Sequence, residues 1–149
     1  MRKKLTFIEK VSSKQVDFGK KIGVDLRDMT LDLASAKIED WLSVEFYGQS
    51  ELGHATARQT ELAEKFGYDL ATSTRREAAA IISDIMTQLN LESVHKQNLK
   101  RGVKVTNIWD PVAMRLVISS ITGDGLCFFM GGNGKRAWAR NLVICEEPT

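Results

Sequence analysis

One segment of the chain is written twice. Shifted by 44 positions, the stretch from Ser12 to Thr30 overlays Thr56 to Thr74 without a gap, and the register holds as far as Asp40 on Asp84. Ten positions are identical in the two copies: Gln15, Lys21, Gly23, Asp25, Leu26, Thr30, Ala34, Ala36, Ile38 and Asp40. Self-similarity at a single offset constrains architecture more than any short motif, because each copy must be able to adopt the same supersecondary unit. Ser12 with Gln15, and Thr56 with Gln59, are capping boxes that open a first helix in each copy. Phe18 and Ile22, or Leu62 and Phe66, lie one turn apart and form its apolar stripe. Gly23 and Gly67 are placed to end it in a left-handed conformation. A short extended crossing around Asp25 or Asp69 follows, where a carboxylate accepting backbone N–H groups is expected. Thr30 and Thr74 then cap a second helix, with inner faces on Ala34, Ile38, Trp41 and Leu42 or on Ala78, Ile82, Ile85, Met86 and Leu89.

The helix, glycine stop, extended loop and second helix resemble the SAP-like module over residues 12–42 and 56–89. That resemblance implies binding of nucleic acid, often duplex DNA. The second helix of such modules opens with basic residues; Arg75 and Arg76 match this, whereas the first copy has Leu31 and Asp32. The second copy is therefore the one expected to touch phosphate, where the helix N-terminus adds its own positive end. The alternative is that Arg75 and Arg76 are solvated first-turn residues.

The period changes at Gly102. Val103 and Val105 alternate, and runs at 114–121, 126–130 and 137–145 follow as β-type segments. Thr122-Gly-Asp-Gly125 and Gly131-Gly-Asn-Gly134 separate them as hairpin turns. Four or five strands in some 45 residues are similar to the SH3-like barrels of KOW and Tudor type, which bind RNA, DNA or peptides. The expected fold class is thus α+β: a basic arm at 1–11, SAP-like repeats at 12–43 and 56–90 joined by a connection at 44–55, a basic linker at 91–101, and a small antiparallel β-barrel at 102–149. The arm could be an opening strand, a helical turn or a docked tail. The connection is expected to be pinned by Phe46 and Tyr47.

Charge is unevenly spread. Residues 1–44 carry 9 basic and 7 acidic side chains, residues 45–94 carry 4 and 8, and residues 95–149 carry 8 and 4. Basic ends around an acidic middle suit a polyanion partner, or else an ordinary solvated surface. Candidate nucleic-acid contacts are Arg58, Arg75 and Arg76 in the second repeat, Lys96, Lys100 and Arg101 in the linker, and Lys104, Trp109, Lys135 and Arg136 in the barrel. Gly131-Gly-Asn-Gly-Lys135-Arg136 lacks the first glycine and the Mg²⁺-binding hydroxyl of a triphosphate loop, so it is either a turn with solvated cations or a backbone-phosphate contact. Trp109, in the loop Thr106–Pro111, either stacks a base or partner beside Lys104 and Arg115 or packs on the barrel edge.

No nucleophile with a base is apparent, and the paired carboxylates are explained by the repeat, so no catalytic residue and no cofactor is expected. His54 and the two cysteines, Cys127 and Cys145, have no companions at ligand spacing. No metal site is expected, and the cysteines read as buried thiols of a reducing compartment. No apolar run approaches a signal peptide or a membrane span, which points to a cytoplasmic protein, or a nuclear one in a eukaryote. The expected activity is non-enzymatic binding of DNA or RNA. The runner-up is an adaptor or accessory subunit of a nucleoprotein complex, phage or mobile-element factors included, and an enzyme of unrecognised type is a distant third.

Overall fold

Ser12 and Thr56 each start a helix through a closed capping box. Ser12 Oγ accepts the Gln15 N–H at 3.2 Å and Gln15 Oε1 accepts the Ser12 N–H at 2.9 Å; the corresponding distances at Thr56 and Gln59 are 3.1 and 2.8 Å. In the computed structural model, which describes residues 1–49, 51–110 and 115–145, these helices are α1 (Ser13–Ile22) and α3 (Ala57–Glu64), followed by α2 (Leu31–Glu45) and α4 (Arg75–Gln97). Five strands complete an α+β chain: β1 (Lys104–Asn107), β2 (Leu116–Ile121), β3 (Leu126–Phe129), β4 (Arg136–Trp138) and β5 (Leu142–Ile144). The chain divides into two units, Met1–Met86 and Thr87–Thr149.

In the first unit the local bonding recurs at the same 44-residue offset. Gly23, with φ of 79°, is the left-handed cap of α1 as expected, whereas α3 ends early, at Glu64 with Lys65 as a right-handed cap, and Gly67 at φ of 82° closes the turn that follows. Asp25 accepts the Arg27 N–H and Asp69 accepts the Ala71 N–H. Leu26 and Leu70 are buried. Gln15 and Gln59 use their remaining amide N–H groups to hold the first carbonyl of the next helix, on Leu31 and Arg75. Short bridges join Lys10 to Thr30 and His54 to Thr74. The two second helices also exchange bonds: Thr30 Oγ1 donates to Asp84 Oδ2 at 2.5 Å, and Thr74 Oγ1 donates to Asp40 Oδ2 at 2.6 Å. Among the three conformations open to the arm, the docked tail is found. The Lys3 N–H donates to the Phe66 carbonyl at 2.7 Å, and Tyr68 Oη donates to the Lys3 carbonyl at 2.8 Å.

The connection departs from expectation. Because α2 runs on to Glu45, its two aromatics fall past the helix end, and Phe46 and Tyr47 are 71% and 82% exposed. Phe46 keeps an edge contact with Trp41 at 5.8 Å. Ser50 of this connection lies outside the described residues.

In the second unit most of the expected linker is helix, since α4 reaches Gln97. Its docking face is largely polar, with Val94 packed on the core beside Asn90, Ser93 and Gln97, which follow helical spacing and each bond backbone of the β region, so apolar periodicity is weak there. Asn90 Nδ2 donates to the Asp124 carbonyl and Asn90 Oδ1 accepts the Arg140 N–H. Ser93 Oγ donates to the Ala139 carbonyl. Gln97 donates to the Leu142 carbonyl and accepts the Ile144 N–H, both at 2.9 Å, so its amide covers the outer edge of β5.

The strands form one antiparallel sheet in the order β4-β3-β2-β1-β5 over a core of Leu99, Val105, Ile118, Cys127, Phe129, Ala139 and Leu142. Both expected hairpin turns are present. The run 137–145 is broken by a 3₁₀ turn at Ala139–Asn141, because β4 pairs with β3 whereas β5 must cross to pair with β1. The edge strands β4 and β5 do not pair with each other among the described residues. Met114 of the expected run 114–121, Pro111 of the Trp109 loop and residues 146–149 of the expected barrel lie outside the described residues. Cys127 is buried, which pushes its thiol up to about 11, whereas Cys145 is half-buried rather than buried. Among the described residues no helix is long and apolar enough to cross a membrane.

Candidate functional site

All ten expected contact residues are exposed. In the first unit Arg58 stands in the first turn of α3 and Arg75 begins α4, and Gln59 ties these two helix starts together through its bond to the Arg75 carbonyl. The Arg75 N–H is itself held by the Gly53 carbonyl at 2.7 Å. Arg76 is differently engaged. Its guanidinium lies 2.9 Å from Asp40 Oδ1 and 3.4 Å from Glu39, and also donates to Ser43 Oγ. The cavity of about 410 Å³ over Arg75 and Arg76 includes Asp40, so it is electrically mixed. Of the pair expected to meet phosphate, Arg75 is exposed with its guanidinium lying beside Gly53, and Arg76 has its charge answered by α2.

The internal symmetry explains that engagement. The counterpart of Arg76 in the first copy is Asp32, and the counterpart of Asp40 is Asp84. One buried carboxylate therefore meets a guanidinium, while the other meets a second carboxylate. Burial pushes Asp84 up to about 6, with the Thr30 bond opposing the shift and Asp32 adding to it. By contrast, Asp25 is held down at about 2 by its hydrogen bonds from Arg27, which in turn occupies that arginine.

In the second unit the sheet's register sorts the candidates into two ends. Lys104 starts β1 and follows Lys100 and Arg101, whereas Trp109 lies beyond the end of β1. The expected pairing of Trp109 with Lys104 is corrected accordingly: Lys104 opens β1 and Trp109 sits in the turn after it, so the strand from Lys104 to Asn107, roughly 10 Å at 3.3 Å per residue, lies between them. Antiparallel pairing from β1 to β4 brings the end of β1, the start of β2, the end of β3 and the start of β4 to one end of the sheet. Trp109, Arg115, Lys135 and Arg136 all emerge there. Lys96 lies in the last turn of α4.

Trp109 is 77% exposed, yet it is not loosely held. Its backbone N–H donates to Asn107 Oδ1 at 2.9 Å and its indole N–H donates to Asn141 Oδ1 at 3.0 Å. Trp138 and Trp41 have other duties: Arg140 lies over the Trp138 ring at 5.6 Å, and Trp41 meets Phe18 edge-on at 6.3 Å. Residues that sequence reasoning passed over are Asn90, Ser93 and Gln97, whose i, i+3, i+7 spacing was the available signal, and the cations of the arm. His54 is exposed, and among the described residues no three His, Cys, Asp or Glu side chains gather where a metal ion could be held. Compared with known proteins, the chain matches no family model, no curated protein and no solved structure.

Proposed function

We propose that this protein binds nucleic acid without catalysing a reaction, and that the end of its sheet carrying Trp109 stacks a base while Arg115, Lys135 and Arg136 meet phosphate. The observation that carries this reading is the state of Trp109. Trp109 is not a lone exposed apolar residue: Ile108 beside it and Met130 just past the end of β3 are each 46% exposed, and apolar surface that gathers at one place marks a contact surface. With its single ring donor already used by Asn141, the indole has only its face to offer, which suits stacking rather than hydrogen-bonded readout. Lys100, Arg101 and Lys104 at the opposite end, and Arg58 and Arg75 in the first unit, are further phosphate contacts in this reading.

The finer fold assignments belong to the same proposal. The recurrence of caps, glycine turns and Asx bonds at one offset supports two SAP-like modules. A sheet ordered 4-3-2-1-5, a register shift in β2 between Ile118 and Ser120, and a 3₁₀ turn before the last strand support an SH3-like barrel.

Fluorescence anisotropy against labelled single- and double-stranded DNA and RNA, at about 50 and 200 mM salt, tests the function. Binding that weakens at least tenfold between the two conditions, and that weakens about fivefold or more in Trp109→Ala, is expected. Absence of binding to all four ligands at the lower salt would overturn the proposal. A second reading, an adaptor within a nucleoprotein complex, draws on Val44, Phe46 and Tyr47, which lie exposed at the end of α2. Binding indifferent to salt would favour that reading.

A further inference from the structure

The arm carries Arg2, Lys3, Lys4 and Lys10, none of which belongs to the contacts assigned above. It is pinned at both ends within the first unit. Near its start, the Lys3 backbone is held by Phe66 and Tyr68; near its finish, the Leu31 N–H donates to the Glu9 carbonyl at 2.9 Å and the Val11 N–H to the Met29 carbonyl at 3.0 Å. A groove of about 500 Å³ lies between these anchors and the start of α2. Four cationic side chains line it, those of Arg2, Lys3, Lys4 and Lys10, against the single carboxylate of Asp28. The other cavities of this unit carry a smaller excess or none: Lys20 and Arg27 face Asp25 in one, Arg75 and Arg76 face Asp40 in another, and in a third, which shares Arg2 and Tyr68 with the groove, Arg2 faces Asp69 and Asp84. Arg2 also stands over the Tyr68 ring at 5.2 Å, which orients its guanidinium along the groove wall. The first turn of α2 contributes Thr30 and Leu33 to the lining, but it also carries Asp32, and Asp84 accepts from Thr30, so the positive charge of the groove comes from the side chains of the arm and not from the helix end.

A concave surface with this excess of positive charge focuses field lines and favours an extended anion over a point charge. We propose that the groove is a second phosphate-binding site, taking the sugar–phosphate backbone of a nucleic-acid strand through Arg2, Lys4 and Lys10. This rests on the nucleic-acid reading above, and adds to it a contact surface on the first unit. The site reads no base, because its cations are directed at backbone charge, so it raises affinity equally for all sequences.

The test uses the full chain and the same labelled oligonucleotides, with affinity measured across a salt series. In the triple variant Arg2→Gln, Lys4→Gln, Lys10→Gln the slope of log affinity against log salt should fall by about two to three units, at roughly 0.7 to 0.9 per lost contact, and affinity at low salt should fall at least tenfold. The charge-keeping triple Arg2→Lys, Lys4→Arg, Lys10→Arg should restore the slope. All three side chains are exposed, and the single variants Lys4→Gln and Lys10→Gln, with melting temperatures near wild type, should each remove close to one unit if the triple variant folds poorly. Trp109→Ala, which removes no charge, should lower affinity at unchanged slope. Wild-type binding with the slope and affinity preserved in the neutralised variants overturns the groove alone and leaves the Trp109 surface standing. Wild-type protein that binds none of the oligonucleotides overturns both.

Discussion

Replacing Asp84 by Asn should stabilise the protein at neutral pH, an unusual outcome for a buried residue with a hydrogen-bonded side chain. Asp84 is 3% exposed and accepts from Thr30, but its other near neighbour is the carboxyl of Asp32 rather than a cation. Its acidity is shifted from 3.8 to about 6, chiefly by burial. A carboxyl raised in the folded state binds its proton more tightly there than in the unfolded chain. Stability from this group is therefore greatest when both states are protonated, below about pH 4. It declines as pH rises toward 6, and above that the full penalty applies. Two units correspond to about 3 kcal/mol at 1.36 kcal/mol each. Asparagine keeps an acceptor for the Thr30 hydroxyl and carries no charge to desolvate. Urea denaturation of wild type and Asp84→Asn, followed by far-ultraviolet circular dichroism, should show the variant more stable by about 1–3 kcal/mol at pH 7.5 and nearly equal at pH 4. Asp40→Asn is the control, since the same position in the other copy faces Arg76; with that guanidinium 41% exposed, losing the pair should destabilise by about 1 kcal/mol at pH 7.5. Equal destabilisation by the two substitutions, or a gap between wild type and Asp84→Asn that does not change with pH, would refute this reasoning.

Gly23 and Gly67 have nearly the same left-handed φ, yet a Cβ on Gly23 meets nothing within 4 Å whereas one on Gly67 comes within 2.8 Å of Arg2 Cα. Gly23→Ala should then cost about 1 kcal/mol and Gly67→Ala measurably more, and equal urea midpoints would show that the arm is not docked there. In the second unit, Gly125→Ala should exceed both, because its Cβ would lie 2.5 Å from that of Asn90; a loss under about 1 kcal/mol would mean that α4 does not pack on this turn. Gln97→Leu leaves the Leu142 carbonyl and the Ile144 N–H without their partner, so a loss of about 2 kcal/mol and faster hydrogen exchange at Ile144 are expected; unchanged exchange would contradict the edge-covering role.

Much of this was legible in the sequence because it rests on local chemistry. Caps, glycine turns, Asx bonds and hairpin turns each depend on residues within a few positions of one another, and they stand where the residue types put them, except that α3 stops at Glu64, two residues short of the turn at Gly67. What could not be read was nonlocal. Asn90, Ser93 and Gln97 look like a polar linker until a sheet edge supplies the backbone groups they satisfy. Arg76 looks like a phosphate ligand until α2 places Asp40 against it. The arm shows four cations in sequence, but only docking against Phe66 and Tyr68 gathers them around one groove. The break in the run 137–145 follows from a pairing choice between β3 and β1 that no property of Ala139 or Arg140 announces.

The central claim is that Trp109 meets nucleic acid, and a ¹H–¹⁵N correlation spectrum reads it directly. The tryptophan side chains of Trp41, Trp109 and Trp138 each give an indole N–H resonance, with that of Trp109 assigned by its loss in Trp109→Phe. On titration with a single-stranded oligonucleotide, the Trp109 indole and the backbone amides of Lys135 and Arg136 should shift progressively and saturate together, while the indoles of Trp41 and Trp138 stay in place. A spectrum in which the Trp109 indole and its neighbouring amides do not move at saturating oligonucleotide would contradict the account.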